Sequence, residues 1–319
     1  MINPIQINCN NAYCYHPLKQ RIINKSDSVT FTGLSEYVKN NPNIKEAVNF
    51  GYELYKNPNV EPEKIIKNYT DEVEIVNFEG CRNTEEAFLD LNFSKDFKPI
   101  NIKIHTIKKP KSNLKQHKMA YALNLAHEYT HYKRVTSPKE NEFIKRLAGY
   151  DFEYLTMLIP VGDRVFCDLD MEKLDFTKKI FNFVDILNEK LFKAPIPRKK
   201  SFKREDVLAS QNMRTKKQFK KHIIKLFDKA FEDTISSITS HDKDIDPVII
   251  KKTEKILSQK GGLEKLKADV KKYCMYNASN EKEAHATECM LARKILNTNH
   301  QINYDSYVIY YSMLENALR

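Results

Sequence analysis

A predominantly helical α+β fold with a small N-terminal sheet is predicted by three features of the chain. Its 319 residues include only seven glycines and no tryptophan, while Lys, Glu, Leu and Ile are abundant, a composition that favours helix. One segment, Ile100–Ile107, alternates apolar and polar residues with the two-residue period of a strand. From Ser137 to about residue 278 the apolar residues recur almost only at helical spacing. The chain divides into a polar tail (1–27), a sheet-containing part (28–137), a large helical insertion or subdomain (138–278) and C-terminal helices (279–319).

Each element has its own signal. Residues 28–33 alternate and end in Gly33, the pattern of a short strand. Helices are expected over 44–56 and 61–69, the second with Pro62 near its start, where proline is tolerated. Residues 73–78 read as a strand, and 84–91 as a short helix with acidic residues in its first turn. In 100–107, Ile100, Ile102 and Ile104 should face a core while Asn101, Lys103 and His105 face water. A half-exposed strand there could hold an extended substrate by strand addition.

A helix then runs from about Leu114 to Val135. Ser137-Pro-Lys-Glu140 is a capping box that opens the next helix, expected over 140–158. Residues 163–167 read as a short strand or irregular loop. Helices follow over 171–191, 202–239 and 247–260, with a linker at 194–200. Gly261-Gly262 separates these from a helix over 263–274. Residues 276–280 break the pattern, Asn280 caps a helix over 281–293, and a tyrosine-rich amphipathic helix closes the chain from Tyr304 to Leu318.

The 114–135 helix carries the chemistry. It contains His127-Glu-Tyr-Thr-His131, and two histidines four residues apart lie on one helical face. Their ring nitrogens can reach one metal ion at about 2.0–2.1 Å. Glu128 points beside the pair, where it can hold a metal-bound water without occupying the metal. A catalytic zinc site needs a third protein ligand, and the best source is the helix of Glu281, Glu283 and Glu288, where Ala284 and Ala286 let a neighbour approach.

His127-Glu-x-x-His131 followed by Asn280-Glu281-Lys-Glu-Ala284 resembles the gluzincin class of zinc metallopeptidases. The resemblance implies a zincin-like fold and one Zn2+ per chain, held by His127, His131 and Glu281, with Glu283 as reserve ligand. It makes Glu128 the general base and a peptide or protein the substrate. The class's aspartate, which braces a ligand histidine, falls on His285, which could bind metal or stabilise the reacting oxyanion; Tyr304 and Tyr307 are other oxyanion candidates. Glu288 is the nearby acid that an aminopeptidase would need at the substrate amine. The interval of 150 residues between the two motifs is longer than the class usually has.

Other classes are weighed against this. The net charge of +11 suits nucleic acid, an anionic membrane or an acidic substrate, but joint enrichment of Lys, Asn and Ile follows from an AT-rich coding sequence, so nucleic acid is not favoured. The rival is a catalytically silent basic helical protein that binds nucleic acid or a protein partner. A second rival keeps the metal but hydrolyses a non-peptide amide. Six cysteines without paired spacing favour a reducing compartment. With no secretory signal and no transmembrane segment, a cytoplasmic location is expected, and export without such a signal stays open.

Overall fold

The computed structural model describes residues 40–78, 87–107, 115–180, 213–297 and 304–319, with Leu208 besides. The polar tail, the 28–33 strand and the 194–200 linker lie outside the described residues. Those described are mostly helical, with one three-stranded sheet. Helix α1 (Pro42–Lys56) is capped by Asn41, whose side chain accepts from the Asn43 amide at 3.0 Å, with Pro42 at the first helical position. A short α2 (Pro62–Ile66) leads into strand β1 (Val73–Phe78).

Strand β2 (Ala87–Phe93) replaces the helix expected over 84–91. Acidic residues at 85–86 imitate a helical first turn, but the period of two decides: Leu89, Leu91 and Phe93 are buried, and the residues between them only half-buried. Strand β3 (Pro99–Ile107) pairs with both neighbours, parallel to β1 and antiparallel to β2. Paired on both sides, β3 has no free edge over its paired length, so the expectation that it holds an extended substrate by strand addition is corrected. β3 is central, and β2 is the edge on the side of the metal motif.

Ile102 and Ile104 are buried as expected, but Ile100 is 41% exposed. The ladder shifts register between Asp90 and Asn92, and Asn101 adopts φ 52°, so the bulge turns Ile100 to the other face.

Helix α3 (Lys115–Val135) lies across β2 and β3 and also touches α1, so it is buried on nearly every side: Met119, Leu123, Leu125, Ala126 and Tyr129 are each 0% exposed. Ser137 caps α4 (Pro138–Leu147), accepting from the Glu140 amide at 3.3 Å. The single helix expected over 140–158 is split, because Gly149 and Tyr150 take positive φ. Helix α5 (Phe152–Ile180) then absorbs residues 163–167, where Val161, Val165 and Leu169 line its buried face.

After α6 (Lys216–Thr239) and α7 (Pro247–Leu257), Gly261 turns the chain at φ 74° into α8 (Gly262–Leu296). Helix α8 runs unbroken through 276–280, where a break and a cap at Asn280 were expected, and through the proposed boundary at 278. No Gly or Pro interrupts it, and its polar side chains serve neighbouring helices: Arg134 Nη1 donates to Ser279 Oγ at 3.1 Å. Helix α9 (Tyr304–Leu318) ends the chain and packs along α8.

Helices α1, α3 and α8 meet where there is no room for a side chain at Gly51. A Cβ there would lie 2.8 Å from Ala126 Cβ and 2.4 Å from Leu291 Cδ2. This close approach puts the motif helix against the middle of α8.

Candidate metal centre

The metal motif survives folding as local geometry predicts. His127 and His131 stack along one face of α3, with ring centroids 4.8 Å apart. Opposite them on α8 stands Glu281. Its two carboxylate oxygens divide between the histidines, Oε2 lying 3.5 Å from His127 Nε2 and Oε1 3.4 Å from His131 Nε2. Donors at about 2.0–2.1 Å from a tetrahedral zinc lie about 3.3–3.4 Å from one another. Glu281 thus stands beside both imidazoles at separations close to those of donors sharing an ion and slightly longer than an ideal hydrogen bond.

Two further acidic residues of α8 part company here. Glu283, the reserve ligand, faces another way: its Oε1 lies 3.0 Å from Arg134 Nη1 in a largely buried ion pair. Glu288 joins the centre, with Oε1 3.1 Å from His127 Nδ1 and Oε2 2.5 Å from His285 Nδ1. These shorter distances are hydrogen bonds. Glu288 thus does from seven residues past Glu281 what the brace expected at position 285 would do. The sequence carried a faint signal, since 281, 285 and 288 share a helical face, but it gave no sign that His127 would be the partner.

His285 itself is buried between aromatic rings, 4.8 Å from Tyr307 and 5.4 Å from Tyr311, centroid to centroid. Tyr311 donates in turn to Asp170. Thr130 Oγ1, 2.8 Å from Thr287 Oγ1, ties α3 to α8 at the level of the site.

Glu128 lies close to both motif histidines. Donor-capable atoms of His127, Glu128 and His131 lie within 4.8 Å of one another, and a second such group is His127, His285 and Glu288. Glu128 Oε2 accepts from the Leu89 amide of β2 at 2.9 Å. Sequence reading missed this contact, because a backbone amide has no residue signature.

Burial dominates the electrostatics and sets these groups against one another. It raises the Glu128 carboxyl above its ordinary range, although His127 and His131 pull it back. Burial also acts to raise Glu281, but hydrogen bonds and charge from His127 and His131 win and hold it well below the usual carboxylate range. Glu288 is lowered to about 2 by His285 and His127, again against burial. His127 is raised well above its ordinary value by Glu288 and Glu281, despite the cost of burying its charge. The two carboxylates thus favour a cation between them, and a divalent metal answers the same field as a proton.

Imidazole nitrogens with a carboxylate are donors that zinc accepts, and the cluster fits a metal ion. Among the described residues no helix is long and apolar enough to cross a membrane. No family model, curated protein or solved structure matches this chain.

Proposed function

We propose that this protein is a zinc-dependent metallopeptidase of the gluzincin type, with His127, His131 and Glu281 as ligands and Glu128 as general base. The observation that carries the reading is the position of Glu281. A residue 150 positions beyond His131 stands 3.4–3.5 Å from both motif imidazoles, with one oxygen for each. A catalytically silent helical protein has no need of this convergence.

A zinc ion held by these residues would supply Lewis acidity and lower the pKa of a water to about 7. The protein's own groups do the rest. Glu128 is held close to His127 and His131, where it can take a proton from the attacking water and return it to the leaving amine. Its raised pKa suits a group that must both accept and release a proton. The donors sit on two helices, α3 and α8, that pack on one another and are joined by the Thr130–Thr287 hydrogen bond. β2, an edge strand of the sheet among the described residues, meets Glu128 through Leu89 and so lies beside the reacting groups, where an extended peptide could add to the sheet.

Zinc content by elemental analysis tests the reading on wild type, His131→Ala, Glu281→Ala and Glu128→Gln. About one zinc per chain is expected in wild type and Glu128→Gln, with loss in the other two. Glu128→Gln should hydrolyse no peptide while keeping its metal. Well-folded wild type that takes up no added zinc sinks the proposal.

A further inference from the structure

Three imidazoles, and not two, surround Glu281. His285 Nε2 lies 3.7 Å from Glu281 Oε2, close to the 3.5 Å and 3.4 Å of His127 and His131. The opposite nitrogen, His285 Nδ1, meets Glu288 Oε2 at 2.5 Å, just as His127 Nδ1 meets Glu288 Oε1 at 3.1 Å. An ionised carboxylate only accepts hydrogen bonds, so each Nδ1 carries a proton. With the Nε2 proton displaced by an ion, each ring would present that nitrogen's lone pair on the side of Glu281.

We infer that Glu288 is a shared brace for two imidazoles, and that the second of them, His285, is a metal ligand. The inference rests on the metal centre proposed above and extends its donor set to His127, His131, His285 and Glu281. Metal-bound histidines characteristically give their other N–H to a carboxylate, which fixes the tautomer and aims the ring. Here one carboxylate does so for residues on two helices, His127 of α3 and His285 of α8. The ring of His285 is also fixed in plane, stacked on Tyr311 at 16°. Four protein donors leave room for a reacting water in a five-coordinate site, which zinc can adopt.

Glu288 is accordingly a positioning residue, acting through His127 and His285. The test uses the full-length protein loaded with cadmium-113, whose nuclear spin couples to the ring protons of each ligated imidazole. Coupling to His127, His131 and His285 is expected, and coupling to the first two alone overturns the inference. Chelator competition with zinc supplies a second readout. Dissociation constants should rise at least about tenfold in His285→Ala and about 10–100-fold in Glu288→Gln. Wild-type affinity in a folded His285→Ala overturns the ligand role while leaving the three-donor centre standing. Should Glu288→Gln fail to fold, the wild-type cadmium spectrum and the His285→Ala titration still decide. Wild type that binds neither metal overturns both readings.

Discussion

Glu283 separates a ligand from an anchor, and its replacement by glutamine is the sharpest test of how the site is built. Its carboxylate lies 3.0 Å from Arg134 Nη1, and the two side chains are 12% and 9% exposed. Arg134 also lies 3.5 Å from Glu140 through Nε and donates to Ser279, so α3, α4 and α8 are tied at one guanidinium, three residues past His131. Breaking a buried ion pair by removing one partner costs about 3–5 kcal/mol. Because Arg134 keeps Glu140 and Ser279, the expected loss in Glu283→Gln falls at or below the bottom of that range, about 2–3 kcal/mol.

Thermal denaturation reads this loss, at roughly 2–4 °C per kcal/mol for a chain of 150–250 residues and somewhat less here. Zinc content should stay at about one per folded chain. Unchanged stability with zinc lost would refute the reasoning and return Glu283 to the metal.

Two further perturbations probe the frame around the site. Gly51→Val pushes a branched side chain against Ala126, one residue before His127; the clash at 2.8 Å should cost about 1–3 kcal/mol and weaken zinc binding, whereas unchanged melting and affinity would deny the three-helix contact. Asp163, half-buried in α5, accepts from Tyr273 at 2.7 Å, and burial raises its carboxyl to about 7 from 3.8. The folded protein then holds a proton that the unfolded chain releases, so stability should fall as pH rises from about 4 to about 7. The fall is at most about 4 kcal/mol, less in proportion to the solvent the carboxyl still reaches. Asp163→Asn should flatten the profile measured by melting temperature, and a parallel profile in both proteins would contradict the assignment.

How much of this was legible in the sequence depended on the range of the signal. The motif helix could be read because His127 and His131 are four residues apart, and helical periodicity alone puts them on one face. The strand at 73–78 and the helix at 304–318 were legible for the same reason. Residues 87–93 were not, because a short apolar run next to acidic residues reads either way until a partner strand claims it. Residues 276–280 misled in the opposite sense. Asn280 looked like a cap, but with Arg134 and Tyr276 as neighbours Ser279 and Asn280 serve packing inside a continuous helix.

The ligand-capable residues and their chemical type were thus set by the sequence alone, since donor identity and helical spacing are local properties. Which acidic residue of α8 meets the histidines was decided only in three dimensions. Glu281, Glu283 and Glu288 are alike in chemistry, and the rotation of α8 against α3, fixed by contacts at Gly51, Thr130 and Arg134, gives one to the motif imidazoles, one to an arginine and one to the back of two histidines. A carboxylate's role follows from what faces it. That is a property of helix packing, which periodicity along a single chain does not encode.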